Sequence, residues 1–186
     1  MVIGITGTDG AGKGTVVHYL VTKYGYTHYS SRDFITEEIE RQGLPLSRSQ
    51  MRLTANEMRA AGGNDIVVVK ALERARAEGK TNVVIESVRA LAEASYLKAH
   101  EGVILAVDAD PKVRFERVQN RRSATDKVTY EQFLKHEELE KNDPNPHGMQ
   151  KALVMERADF TIANSKSIAD LQMQVDGFME QFGAGK

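Results

Sequence analysis

The chain has 186 residues, of which 41% are hydrophobic and 27% charged, so it is long enough for one α/β domain with a sizeable core. A net charge of −1 gives no reason to expect a nucleic acid or a membrane surface as partner, and the absence of cysteine excludes disulfides and thiolate metal sites. The five histidines show no metal-ligand spacing. No apolar run approaches the roughly 18 residues that a membrane span needs, and no signal-like segment is visible, so the expected location is the cytoplasm.

Short apolar strands alternate with helical segments along the whole chain. Strands are predicted at residues 2–5, 26–30, 83–85, 103–107 and 159–163. Helices are predicted at residues 13–23, 32–41, 47–61, 65–78, 90–100, 111–122, 129–141 and 168–182. This alternation favours a parallel sheet that is covered by helices on both faces through right-handed crossovers. We therefore expect an α/β three-layer sandwich that forms a single domain over residues 1–186.

The first strand runs into a glycine-rich turn with the spacing G-x-x-x-x-G-K, from Gly7 to Gly12 and Lys13. Glycine at positions 7, 10 and 12 allows positive φ and a close approach of the backbone to an anion. The N–H groups of such a loop cradle phosphate oxygens, and the following helix adds the positive end of its dipole. The motif predicts a nucleotide-phosphate site at Asp9, Gly10, Ala11, Gly12, Lys13, Gly14 and Thr15.

Charged side chains follow several of the predicted strands, and ligands of parallel sheets bind at the carboxyl ends of the strands. Glu86 ends the strand VVIE and is a candidate for holding Mg²⁺, although many strands end in a carboxylate that only caps or solvates. Arg89 follows three residues later and is placed to clamp a phosphate. Arg32 and Asp33 open the helix after the second strand, where Arg32 is a candidate for binding an acceptor phosphate. We expect Arg32, Glu86, Arg89 and Asp108, which all follow strand ends, to share one cleft with Lys13.

The densest basic cluster comprises Arg114, Arg117, Arg121 and Arg122. Three of its members, at 114, 117 and 121, lie on one helical face. Such a stripe usually marks a solvated helix face. Here it leads into a polar segment, so the alternative is that these arginines close over a transferring phosphoryl group. Arg48, Arg52 and Arg59, on the earlier helices, are expected on solvent faces.

Asp9 is the one residue of the glycine-rich loop that donor binding does not explain. Its carboxylate would repel a triphosphate unless it faces away from it. It is expected to point at a sugar hydroxyl or an arginine across the cleft, or to form a local Asx-turn.

The loop GTDGAGKGT resembles that of adenylate kinases, and its DGAGK core is similar to that of thymidylate kinases. The segments YSSRDFITEEI, VVIESVR, VRFERVQNRR and IANSKSIADL resemble, in order, later segments of the nucleoside monophosphate kinase superfamily. The DADP stretch is similar to small kinases related to dephospho-coenzyme A kinase. The resemblance implies a P-loop fold with a helical acceptor-binding segment at about 32–63 and a short lid at about 120–130, both of which would move on binding.

This resemblance implies ATP- and Mg²⁺-dependent phosphoryl transfer to a nucleoside or deoxynucleoside monophosphate. Gly14 stands where most phosphate-loop enzymes place a hydroxyl residue for the metal, which leaves Glu86, through water, and Thr15 as metal candidates. By the resemblance, catalytic roles fall to Lys13, Arg89, Arg121 and Arg122, the donor base to Arg117, Ser165 and Lys166, and acceptor binding to Asp9, Arg32, Asp33 and Arg89.

Two other functions stay open. One is a hydroxyl kinase of the dephospho-coenzyme A type, which would need Asp33 or Asp9 as a base. The other is a nucleotide-binding regulatory or chaperone module that hydrolyses ATP slowly. In each case the expected partner is a small molecule rather than a nucleic acid or a membrane, and the protein is a monomer or homodimer.

Overall fold

Five parallel strands form one sheet in the computed structural model, which describes residues 1–120, 128–141 and 143–183. The strands are β1 (Val2–Gly7), β2 (Thr27–Ser30), β3 (Val83–Glu86), β4 (Val103–Asp108) and β5 (Phe160–Ala163). Their order across the sheet is β2-β3-β1-β4-β5, and all neighbouring pairs are parallel. The predicted parallel sheet is confirmed, with each predicted strand placed within two residues of its observed ends.

Helices cover both faces of this sheet within the described residues. They are α1 (Lys13–Tyr24), α2 (Ser31–Arg41), α3 (Arg48–Gly62), α4 (Ile66–Ala77), α5 (Leu91–Ala99), α6 (Pro111–Asn120), α7 (Tyr130–Lys141), α8 (Lys151–Glu156) and α9 (Ile168–Gly183). On one face α1 and α9 pack against β1 and its neighbours, with Leu20 and Phe178 fully buried. On the other face α4 and α5 pack with Leu72 and Leu97 against the same strands. The three-layer sandwich is therefore confirmed.

Three local details are not contained in the predicted ranges. Ser30 caps α2, because its side chain accepts a hydrogen bond from the N–H of Arg32. In α1, Val16 and Val17 are buried, whereas Val21 is 36% exposed. The helix α8 was not predicted, because six residues are too few to show a helical period.

The strand register gathers the predicted site residues at one edge of the sheet. Glu86 pairs with Ile5 of β1 and with Ser30 of β2, and the end of β1 at Gly7 pairs with Val107 of β4. Because the strands are parallel, the loops that follow β1, β2, β3 and β4 emerge on the same side. No helix among the described residues is long and apolar enough to span a bilayer.

Candidate active site

The glycine-rich loop after β1 has the backbone that its sequence predicts. Gly7, Gly10 and Gly12 have φ values of 137°, 80° and 96°, a region that side chains other than glycine rarely adopt. A Cβ at Gly12 would also overlap Nδ2 of Asn164, which donates to the carbonyl of Ala11. The loop is therefore fixed both by its own φ angles and by the segment that follows β5.

Lys13 is folded back over the loop at the start of α1. Its Nζ donates hydrogen bonds to the carbonyl oxygens of Gly7, at 3.0 Å, and Thr8, at 2.8 Å. Burial lowers the pKa of Lys13 to about 8, although the nearby Asp9 carboxylate acts in the opposite direction. The ammonium group is thus held within the loop, where phosphate oxygens would meet it.

Glu86 lies beside this loop at the end of β3. His28 of β2 places its Nε2 at 3.1 Å from a Glu86 carboxylate oxygen. The hydrogen bond from His28 lowers the pKa of Glu86, and this effect outweighs that of burial. An ionised carboxylate next to a phosphate loop suits Mg²⁺, which prefers hard oxygen ligands and keeps part of its water shell. Thr15, the other metal candidate, is exposed in the first turn of α1.

A second acid, Asp108, supports the loop from the other side. Thr8 donates its hydroxyl to Asp108 at 2.5 Å, and the N–H of Ala109 donates to the same carboxylate oxygen at 2.9 Å. Asp108 therefore holds the start of the phosphate loop against the end of β4, and it does not belong to the described residues that line the cleft, contrary to expectation. The described residues contain no group of three or more acids, histidines or cysteines that could by itself hold a metal ion.

A cleft of about 840 Å³ opens between the phosphate loop and the helices α2 and α3. Gly12, Lys13 and Gly14 form one side of it, and Glu86 also lines it. The opposite wall is basic and apolar. Its side chains include those of Arg32, Ile35, Met51, Arg52, Ala55, Arg59 and Arg89.

Three of the four residues predicted to bind the acceptor line this cleft, namely Asp9, Arg32 and Arg89. Arg89 lies on its wall with Nη1 at 3.4 Å from the sulfur of Met149, and Arg32 lines it from the first turn of α2. Asp33 is exposed on α2 and does not belong to the described residues that line the cleft. The structure thus separates Asp33 from the other three.

Arg59 corrects the expectation of a solvent face, since it is only 3% exposed. Its Nη2 lies 3.3 Å from Glu93 at the start of α5, and its Nη1 donates to the carbonyl of His147. Glu93 in turn accepts hydrogen bonds from the backbone N–H groups of Arg89 and Ala90. The helix α3 thus turns Arg59 towards α5, and the pair connects α3 to the backbone at Arg89 and Ala90.

The residues predicted to hold the donor base meet beside the phosphate loop. Arg117 of α6 donates to the carbonyl of Asn164 at 2.8 Å, in the segment after β5. Ser165 accepts a hydrogen bond from the N–H of Asp110, and Lys166 is exposed. Arg121 and Arg122, with most of the predicted lid at 120–130, lie outside the described residues.

Arg114, the first member of the arginine stripe, does not face the solvent or the cleft. It is 4% exposed and ion-paired to Glu137 of α7. Its Nε donates to the carbonyl of Ala109 at 2.8 Å, and its Nη1 donates to the carbonyl of Asp9 at 3.3 Å. Arg114 therefore supports the phosphate loop from behind and cannot swing over a bound phosphate.

Lys151 is a charged residue of the site that sequence reasoning missed. It lies on α8, is 6% exposed, and places Nζ at 3.3 Å from the carboxylate of Asp9 and at 2.8 Å from that of Glu140. Burial and Asp9 raise the pKa of Glu140, but Lys151 and Arg89 lower it by more, so that its net pKa lies below the usual value. The signal that could have found Lys151 is a lysine directly before the short apolar run ALVM, which is unusual for a solvent face.

Comparison with known proteins agrees with this geometry. Residues 3–143 match a family model described as an AAA domain, AAA_18. A UPF0200 protein of Staphylothermus marinus is 32% identical over 170 residues, covering 91% of this chain and 86% of the relative. The UPF0200 protein PH1008 of Pyrococcus horikoshii is 30% identical over 182 residues, covering 95% and 94%.

Among solved structures, the chain is similar to shikimate kinase from Bacteroides thetaiotaomicron. The TM-score is 0.66 with 16% identity, and the match covers 98% of both chains. At this identity the likeness concerns the fold, which is that of the P-loop kinases.

Proposed function

The chain belongs to the AAA_18 family of AAA domains and to the UPF0200 proteins, and we propose that it transfers a phosphoryl group from ATP to a nucleoside or deoxynucleoside monophosphate. The observation that carries this proposal is one cleft whose two sides are a phosphate loop and a wall with four arginines. A loop of this type binds the donor phosphates, and arginines bind a second anionic group. Both reactants would therefore meet within the same cavity.

On the donor side, the N–H groups of the loop and Lys13 would hold the phosphates of ATP. Glu86 would hold Mg²⁺, directly or through water, and the metal would neutralise charge on the transferring group. Arg117 and the segment around Ser165 lie next to the loop, where the donor base would extend. In the same proposal Arg121 and Arg122 close over the transferred group.

On the acceptor side, Arg89 and Arg32 would bind the acceptor phosphate. The apolar side chains of Ile35, Met51 and Ala55 on the same wall suit an uncharged ring. An ionised phosphate oxygen is already a nucleophile, so this reaction needs no general base. The absence of Asp33 from the described part of the cleft therefore does not weaken the proposal.

A hydroxyl acceptor is the second candidate, and the observation that favours it is the position of Asp9. Asp9 lines the cleft together with Lys13, and a hydroxyl acceptor bound there would need a base to take its proton. Shikimate kinase, which has a similar fold, is by name a kinase of a hydroxylated acid. The ion pair of Asp9 with Lys151 disfavours this role, because it already engages the carboxylate that would have to accept the proton.

A coupled ADP-release screen tests these functions. The wild-type protein with MgATP is assayed across the nucleoside and deoxynucleoside monophosphates, dephospho-coenzyme A and shikimate. We expect one class of monophosphate to raise ADP release well above the rate without acceptor. Stimulation by a hydroxyl acceptor alone would support the second candidate, and ATP binding without any stimulated release would support a regulatory ATPase.

The variant Lys13→Ala is the control for the site itself. It should lower turnover by about 10³-fold, because the loop loses the charge that faces the developing phosphate charge. Lys80→Ala is the matched control, since Lys80 is exposed just before β3, at the opposite end of the sheet. Turnover that survives Lys13→Ala would overturn the proposed mechanism.

A further inference from the structure

Asp9 places a negative charge inside a loop whose purpose is to bind negative phosphates. The loop lies between the end of β1 and α1, and Asp9 shares it with Lys13. A carboxylate a few ångströms from a polyphosphate would weaken its binding unless a positive charge compensates it. The structure shows how this charge is accommodated.

Two buried cations hold Asp9, one at its backbone and one at its side chain. Arg114 donates from Nη1 to the Asp9 carbonyl at 3.3 Å. Lys151 donates from Nζ to the Asp9 carboxylate, also at 3.3 Å. Both cations are less than 7% exposed, with values of 4% and 6%, so solvent screens these contacts little.

Both cations are in turn ion-paired to one helix. Arg114 pairs with Glu137 and Lys151 pairs with Glu140, and these two glutamates lie three residues apart on α7. Residues three apart share one helical face, so a single face of α7 reaches Asp9 through two bridging cations. Arg114 belongs to α6 and Lys151 to α8, which means that three helices converge on the phosphate loop, and Glu140 of α7 also lines the cleft.

We propose that Lys151 is a positioning residue of the phosphate loop, which compensates the charge of Asp9 and ties the loop to α7, and thereby sets the affinity for the nucleotide donor. Lys151 acts through Asp9 and does not contact the nucleotide. Its loss would leave the Asp9 carboxylate facing the donor phosphates with less compensation. This inference rests on the proposed function, because it requires that the loop bind a nucleotide.

A double-mutant cycle on nucleotide binding tests it. The dissociation constant of MgADP is measured by calorimetry for the wild type and for Lys151→Met, Asp9→Asn and the double variant, and thermal unfolding is recorded for each. Lys151→Met should weaken binding about tenfold. Adding Asp9→Asn should restore the affinity to within about threefold of the wild type, because the repulsive charge is gone. Lys80→Met, the exposed lysine at the far end of the sheet, should bind as the wild type does.

A merely structural role of Lys151 would lower the unfolding temperature without this coupling in nucleotide affinity. The proposal fails if Lys151→Met binds MgADP as tightly as the wild type, or if Asp9→Asn does not rescue it. If Lys151→Met does not fold, the double variant is compared with Asp9→Asn. Equal affinities for MgADP support the proposal. A tenfold lower affinity of the double variant would mean that Lys151 contacts the nucleotide directly, which would overturn the proposal. Failure of the wild type to bind MgADP would instead overturn the proposed function.

Discussion

The phosphate loop and the acceptor wall face each other across one cleft, but they are built in different ways. The loop is a continuous segment whose glycine φ angles and lysine contacts all lie within residues 7–15. The wall takes Arg32 from α2, Arg59 from α3 and Arg89 from the segment after β3. A local motif therefore forms one half of the site, and long-range packing forms the other.

The two halves also differ in the burial of their cationic side chains. Behind the loop, the cations Arg114 and Lys151 are buried and fully committed to ion pairs. On the wall, Arg32 and Arg52 are exposed and line the cleft directly. Among these four residues, the buried cations fix the protein, whereas the exposed ones are available to a ligand. Arg59 is the exception, since it lines the wall and is also buried.

The largest effect is expected from a substitution of Arg59 in the wall. Arg59→Met removes one partner of the buried pair with Glu93, which should lower the free energy of unfolding by about 3–5 kcal/mol. Chemical denaturation measures this free energy of unfolding. In addition, the KM for the acceptor should rise, while the dissociation constant of MgADP should stay unchanged. Arg41→Met, in an exposed pair with Glu38, is the matched control and should leave stability unchanged. Equal effects of the two variants would contradict the structural role assigned to Arg59.

The next largest effect is expected from a substitution in the phosphate loop. Gly12→Ala should cost about 3 kcal/mol of stability, because alanine is strained at a φ of 96° and its Cβ overlaps Asn164. Gly14→Ala is the matched control, since a Cβ at that position meets nothing within 4 Å. The unfolding free energies of both variants and their MgADP affinities are compared. A Gly12→Ala protein as stable as Gly14→Ala would show that the loop is not fixed locally.

Arg89→Ala tests whether the wall binds the acceptor. Loss of a charge-assisted hydrogen bond to an anionic acceptor should raise the acceptor KM by about 10- to 100-fold. The KM for ATP should change much less, because Arg89 is assigned to the acceptor and influences Lys13 only through the electrostatic effect of its charge. Steady-state kinetics measures both constants, with the exposed Arg76→Ala on α4 as control. If the KM for ATP rises instead, the division of the site into two halves is wrong.

The smallest effect is a pH dependence of the donor side alone. The pKa of Lys13 is lowered from 10.5 to about 8, so the free protein loses this charge as the pH rises through that value. Nucleotide phosphates favour the charged form, and MgADP affinity should fall about tenfold between pH 7 and 9. Lys13→Met should abolish this dependence in calorimetric titrations, while Lys80→Met should keep it.

The stability of the free protein should change in the opposite direction. Because the folded pKa of Lys13 lies below that of the unfolded chain, the cost of burying its charge is fully present below about pH 8 and is relieved between there and about 10.5. A fall in stability over this range that depends on Lys13 would contradict the assigned burial.

Most of the fold could be predicted, because alternating apolar strands and amphipathic helices carry their own periodicity. The sheet and its parallel direction followed from this alternation. The strand order did not, since nothing local in β4 states whether it will lie beside β1 or β3. The six residues of α8 also left no periodic signal. Because this helix was not predicted, the burial of Lys151 could not be predicted either.

The phosphate loop was determined by the sequence itself, because positive φ angles and a lysine at fixed spacing are properties of consecutive residues. The positions of Glu86 and Arg89 in the cleft could be predicted for a similar reason, since a strand end can be recognised locally. Only the tertiary structure decided that Arg59 and Arg114 are buried, that Asp33 lies away from the cleft, and that Lys151 reaches Asp9. The physical reason is that an arginine or lysine has the same sequence signature on a solvent face as in a buried ion pair. Its environment is set by the helix that packs over it, and that helix lies elsewhere in the chain.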